Sequence, residues 1–345
     1  MTKSPFIDLR SDTVTSPSKE MLEAMMAAET GDDVFDEDPT VKLLERKAAA
    51  LFGKEAGLFV PSGTMANQIA IRLHTQLQDE IICDRLSHIY YYESGGTFSN
   101  SGVSVRLLNG DRGRITADLV EENLNDPAQI YLPVSSMVCL ENTCNKGGGS
   151  YYNLNEIERI ASLCKNHSLK LYVDGARIFN ALTETGEKPD EYGRLADTLS
   201  FCFSKGLGAP VGSVLLTSAQ NLNKAKRIRK AFGGGMRQAG YLAAACNFAL
   251  DNNIGRLKED HARAKELGKC LAAINWVEEL IPVDTNIIVF RLAAGLTVKK
   301  ILDQLSERNI KAVPFGHREI RMVTHLDFTD KMLEQVISAI NKLKV

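Results

Sequence analysis

No Cys-x-x-Cys pair occurs in this chain, and its seven cysteines (Cys83, Cys139, Cys144, Cys164, Cys202, Cys246 and Cys270) are an odd number. Both facts argue against a disulfide framework and a structural zinc site, leaving reduced thiols and no metal as the expectation. Most of these cysteines lie in apolar runs, where the residue packs as a small hydrophobe; only Cys144, in the polar ENTCNKGGG, stands apart. An excess of one charge is also missing. With 41 basic and 43 acidic residues the net charge is −2, which gives no electrostatic footprint for nucleic acid or an anionic membrane. The longest apolar-rich run, GYLAAACNFAL, is too short for a bilayer, and MTKSPFIDLRSDT lacks the apolar core of a signal peptide. These absences predict a soluble, cytoplasmic protein with a small-molecule substrate.

Two nucleotide motifs are absent as well: no G-x-G-x-x-G follows a strand pattern, and there is no G-x-x-x-x-G-K-[ST]. What is present is an alternation of short β-rich runs with helical patterns. The runs are AGLFVPSG, DEIICD, VSVRLLN, SMVCLEN, LKLYVDG, DTLSFCFSKG and VGSVLLTS. Between two of them Ile157, Ile160, Ala161 and Cys164 recur at helical spacing. Strands separated by helices predict an α/β fold with a mainly parallel sheet. From about Gly240 the texture changes to long helical stretches, the strand-like TNIIVFRL and EIRMVTH, and a last helix. The 345 residues therefore divide into a large unit over 1–250, N-terminal segment included, and a smaller C-terminal unit over 251–345.

Three strand ends carry chemistry. FVPSGTMANQ runs from a strand into a helix, so that Ser62, Gly63 and Thr64 offer a hydroxyl-lined helix N-terminus suited to phosphate; taken alone, such residues simply cap helices. VDGARIFN puts Asp174 at one strand end, and SFCFSKGLG puts Lys205 at another. The two are either a structural ion pair or solvated loop charges, or they hold a ligand between them. Pyridoxal 5′-phosphate needs a phosphate cup, an acid against its pyridinium nitrogen and a lysine, and the chain has all three. His88, soon after another strand, adds a flat ring able to stack on a pyridine.

The ordered series IDLRSDTVTSPSKEM, GDDVFDEDPTVKLLE, FVPSGTMANQ, SHI, LENTCNKGGG, VDGARIFNA, SKGLGAPVGS, GGGMRQAG and IRMVTHLD resembles low-specificity L-threonine aldolases from Ile7 into the final helix. The resemblance implies a fold-type I pyridoxal-phosphate enzyme with a seven-stranded large domain and a smaller C-terminal α+β domain. It further implies a homotetramer with active sites shared between subunits, and cleavage of threonine, allo-threonine or a related β-hydroxy-α-amino acid to glycine and an aldehyde. By motif, Lys205 resembles the Schiff-base lysine, Asp174 the pyridinium partner, His88 the stacking ring, and Gly63 with Thr64 the phosphate cup. Arg177, Arg321 and Ser11 resemble the group that holds the substrate carboxylate, and Lys230 and Arg237 resemble residues that reach a neighbour's cofactor phosphate.

Three motifs depart from the family pattern. Tyr131 stands where a histidine that touches the substrate hydroxyl is expected, Cys144 stands at another histidine position, and Phe35 and Asp36 replace a Tyr-Gly pair. With Tyr131 a poor base near neutral pH, Glu93 is a candidate for that role if its helix turns it inward. Phe35 and Tyr131 together predict a preference for larger, apolar side chains. The same cofactor platform also suits β-elimination or racemisation, or a catalytically weak protein that merely retains the cofactor.

Overall fold

The computed structural model describes residues 6–343. Strand β1 (Ile7–Asp8) is followed by the strands that build the larger sheet: β2 (Ala56–Val60), β3 (Glu80–Asp84), β4 (Ser104–Leu108), β5 (Ser135–Glu141), β6 (Lys170–Asp174), β7 (Thr198–Cys202) and β8 (Ser213–Thr217). Their order across the sheet is β2-β8-β7-β6-β5-β3-β4, with β8 antiparallel to both neighbours and the other pairs parallel. All seven runs expected as strands are strands. Those with helices on both faces are buried throughout, as β2, β3, β7 and β8 show, which is why they read as continuous apolar stretches.

The helices follow from local chemistry. Helix Gly63–His74 starts where the Ser62 Oγ accepts the Met65 N–H at 3.2 Å. Helix Leu154–Asn166 buries Ile157, Ile160, Leu163 and Cys164 as one stripe under the sheet. Gly63 is required by packing, since a Cβ there would lie 2.7 Å from the Cys202 Sγ. The first turn of that helix is thereby pressed against β7.

A second sheet comprises β9 (Val277–Leu280), β10 (Ile287–Leu292), β12 (Val313–Gly316) and β13 (Glu319–Val323), antiparallel in the order β12-β13-β10-β9. Strand β11 (Ile310–Lys311) pairs instead with β1, in parallel. The core of this unit joins helices Leu257–Ala272, Val298–Ser306 and Asp330–Ile340 to β10 and β13. Ile7 and Leu9 belong to that core too, and the Leu9 carbonyl accepts the Val323 N–H at 2.9 Å. The N-terminal segment thus leaves the second sheet before its continuation, Asp12, reaches the edge of the first.

Candidate active site

Six strands of the larger sheet point the same way, so β2, β3, β5, β6 and β7 deliver the residues after them to a single rim. Asp174, the last residue of β6, is buried; its Oδ1 accepts the Ala176 N–H at 3.1 Å and its Oδ2 accepts Asn67 Nδ2 at 2.9 Å. Asn67 projects from the helix that begins at Gly63, and the same Nδ2 donates to Glu93 Oε1 at 2.6 Å. Its Oδ1 accepts the Tyr172 hydroxyl at 2.5 Å, which fixes the amide's orientation. One amide nitrogen therefore bridges two buried carboxylates.

Glu93 does turn inward. Its fully buried carboxylate also accepts Gln68 Nε2 at 2.7 Å and lies 2.9 Å from His88 Nδ1. With Glu93 ionised, Nδ1 is the donor and Nε2 is the nitrogen left for the site. Burial disfavours the imidazolium, but the Glu93 bond and the charges of Asp174 and Glu141 outweigh it and raise the His88 pKa. Glu141, at the end of β5, accepts the His88 N–H at 2.8 Å and the Asn145 N–H at 2.9 Å. Burial, then the nearby charge of Asp174, pushes its pKa upward.

Lys205 lies three residues beyond β7, half-buried, and among the described residues no hydrogen bond or ion pair holds its ammonium. It faces a buried pair: Arg177 Nε and Nη2 donate to the Asp12 carboxylate at 2.7 and 2.6 Å. Although burial opposes ionisation of Asp12, the Arg177 guanidinium and the Lys205 charge hold its pKa well below the carboxylate range. Arg321 approaches from β13, with Nη1 on Asn145 Oδ1 at 2.8 Å and Nη2 on the Arg10 carbonyl at 2.9 Å. Its Nε is buried without a partner, and desolvation, then the neighbouring Arg177 charge, depresses its pKa to about 10.

Several expected site residues are placed differently. Arg177 does not present a free fork, because two of its donors are committed to Asp12. The Ser11 hydroxyl is engaged locally, accepting the Thr13 N–H at 3.3 Å and the Thr13 hydroxyl at 2.9 Å. Tyr131 is 77% exposed in the loop that enters β5, at the opposite rim from Glu141, so within one chain it cannot contact the substrate. Phe35 is also exposed and shares no ring contact with Tyr131; it lies 5.8 Å from the Arg237 guanidinium. Arg237 pairs with Asp32 at 2.9 Å, whereas Lys230 is exposed beside a glycine turn whose Gly234 abuts Met65, in the first turn of the cup helix. Cys144 is fully buried against Gly113, its thiol pKa raised by burial, and its N–H bonds the Ser150 carbonyl at 2.8 Å: it supports a loop.

The residues present fit pyridoxal 5′-phosphate. A buried acid, an unpartnered lysine and a helix N-terminus with exposed Ser62 and Thr64 converge on one rim, and the orphaned Arg321 Nε awaits an acceptor beside them. Asp12, Asn67, Glu141 and Asn145 were not singled out from the sequence. Each is a short polar residue within a motif whose glycines and charges draw more notice, and only the three-dimensional convergence reveals it.

The chain belongs to the Beta-eliminating lyase family, whose model matches residues 8–294, and this places the strand-end platform within a lyase class. Within that class its likeness is narrower. The chain is 39% identical over 338 residues to low-specificity L-threonine aldolase 1 of Arabidopsis thaliana, covering 96% of this chain and 94% of that protein. It is also 39% identical over 333 residues to the low specificity L-threonine aldolase of Escherichia coli K12, covering 96% and 97%. The fold matches that of the Leishmania major threonine aldolase with a TM-score of 0.85 at 21% identity, over 98% of this chain and 99% of that one.

Proposed function

We propose that this protein is a pyridoxal-phosphate-dependent aldolase that cleaves threonine, allo-threonine or related β-hydroxy-α-amino acids to glycine and an aldehyde. The observation that carries the reading is Arg321, a guanidinium with a buried, unpartnered Nε that shares the Asp12–Arg177 pair as a neighbour with the unpaired Lys205. A substrate carboxylate would satisfy that donor. In this reading Asp174 would hold the cofactor's ring nitrogen, His88 would lie against its ring, and Ser62, Gly63, Thr64 and the helix N-terminus would take its phosphate. Bound there, the cofactor supplies a carbonyl for amine exchange and a ring that takes up the electron pair left when a bond to Cα breaks.

The chain's own residues do the rest. Arg321, oriented by Asn145 and the Arg10 carbonyl, fixes the carboxylate and so sets which bond to Cα faces the ring. Lys205, freed of any acid partner, serves as amine and proton carrier. His88 keeps a proton at Nδ1 on Glu93, which leaves Nε2 to meet the substrate side. The Asp12–Arg177 pair keeps a positive edge near the carboxylate without an unpaired charge.

We further propose a cytoplasmic homotetramer with shared sites and a division of the chain into units over 1–250 and 251–345. A shared site gives Tyr131, Lys230 and Arg237 a place that one chain does not, since Ile130, Tyr131, Leu132 and Val134 form an exposed, largely apolar loop. The test is a product assay on purified protein supplied with cofactor and L-threonine: glycine with acetaldehyde supports the aldolase, and ammonia with a 2-oxo acid overturns it in favour of β-elimination. Mixing inactive Lys205→Ala and Arg237→Ala variants should restore activity if sites are shared; no recovery removes that part.

A further inference from the structure

Lys146 comes directly after Asn145, the residue that steadies Arg321, in the loop beyond β5. Its Nζ sits 4.1 Å from the ring centre of Tyr91, 4.9 Å from that of Phe315 and 5.8 Å from that of Tyr92. Lys146 is half-buried, Tyr91 and Tyr92 are partly open to solvent, and among the described residues no carboxylate pairs with the ammonium. Two of the rings connect the cage to the site. Tyr92 packs on His88 with ring centres 5.4 Å apart, and Phe315 also lies 5.1 Å from the Arg321 guanidinium. Phe315 is thus within cation–π reach of two cations that no acid separates.

Rings of this kind attract an ammonium by its charge, and among the described residues no oxygen acceptor takes a Lys146 N–H. A fixed cation with free donors, one residue along from the partner of the carboxylate-binding guanidinium, is built to receive a second anionic group. We propose that Lys146 is a specificity-determining residue that binds an acidic group on the substrate side chain, so that the preferred substrates are β-hydroxy-α-amino dicarboxylic acids such as β-hydroxyaspartate. This rests on the aldolase reading above. In the step itself the Cα–Cβ bond breaks, the β-hydroxyl loses its proton as its oxygen becomes a carbonyl, and a proton is delivered to Cα. β-Hydroxyaspartate thereby gives glycine and glyoxylate with no oxidant or reductant. The acidic preference proposed at Lys146 is distinct from the apolar preference expected at Phe35 and Tyr131.

The test is calorimetric titration of the cofactor-loaded enzyme with L-aspartate and its neutral isostere L-asparagine, neither of which carries the β-hydroxyl that cleavage needs, and with glycine as reference. Aspartate should bind about tenfold tighter than asparagine, the scale of one charge-assisted hydrogen bond. Lys146→Met should bring the two affinities together, and Lys146→Arg should restore the preference. Equal affinities in the unaltered enzyme, which need no variant to fold, overturn the proposal, as does a preference that survives in Lys146→Met. If glycine binds while aspartate gains nothing over asparagine, only this inference falls; if glycine itself fails to bind, the aldolase reading falls and takes the inference with it.

Discussion

The two rims of the larger sheet use the same residue types to opposite ends. At the rim where parallel strands begin, Glu80 accepts Arg106 Nε at 2.7 Å and Asn125 Nδ2 at 3.1 Å, and Arg106 returns a second bond to Asn125 at 2.8 Å. Lys170 pairs with Asp197 at 2.9 Å, and His74 bonds Thr198 at 2.6 Å, its pKa lowered by burial to about 4. Each of these groups is matched. At the opposite rim two carboxylates share one amide, a lysine has no acid, an arginine keeps an orphaned donor, and the histidine is shifted the other way. Polar groups that a stable fold would pair stay incompletely paired at this rim, as the proposed ligand site requires.

The largest break in that contrast should come from Lys205→Ala, which should abolish both the visible absorbance of the loaded enzyme and glycine formation. Borohydride reduction and then digestion should find the pyridoxyl group on Lys205 alone; its appearance on another lysine would reassign the site. Arg321→Ala should retain cofactor, raise KM and lower kcat/KM by about 10- to 150-fold, the scale of ~1.5–3 kcal/mol for a lost charged partner. Loss of cofactor with an unchanged KM would place Arg321 elsewhere.

At the structural rim the signature should invert. Arg106→Ala leaves the buried Glu80 short of a partner and should cost about 1–3 kcal/mol in denaturant unfolding while kcat/KM stays as it was. A change in kcat/KM without loss of stability would erase the distinction between rims. Glu93→Gln is the subtler probe. The Glu93 bond stabilises the native state while His88 is protonated, and that contribution fades as pH rises through the folded pKa. The variant should lower the His88 pKa measured by NMR, with activity shifting toward lower pH.

The smallest expected effect is at Glu45, far from either rim's chemistry, where burial raises the carboxyl pKa to about 7. Between its ordinary value and about 7 the native state binds more protons than the unfolded chain, so stability falls as pH rises. Glu45→Gln should flatten the slope of Tm between pH 5 and 8; an unchanged slope would assign it to Glu141 instead.

Much of the candidate rim was legible in the sequence because Asp174, Lys205, His88 and the Ser62–Thr64 turn each follow a run whose buried strand shows as apolar residues. Arg321 was legible through its motif alone. The network behind them was not, since nothing in the spacing of Asn67, Glu93 and Glu141 says that three elements will bring them within hydrogen-bond reach. Tyr131 was placed by its motif alone, and a motif position does not say at which end of a strand, or in which copy of the chain, a residue acts; here it is exposed at the rim opposite Glu141. Among the strands, β9 and β12 escaped notice because VEEL is half polar and VPFG carries Pro314, tolerated on the edge of the second sheet.

The N-terminal segment has a practical consequence for anyone handling the protein. Because Asp12 follows a strand zipped to β11 and a Leu9 carbonyl that accepts the Val323 N–H, the stretch from Ile7 to Asp12 acts as a mooring line between the two sheets. Trimming it would strand a buried guanidinium, a loss on the order of 3–5 kcal/mol, and would remove one tie between the sheets, leaving others such as Arg321 on Asn145 and Arg112 on Asp284. Affinity handles therefore belong ahead of Phe6, with every residue from Ile7 to Asp12 kept intact.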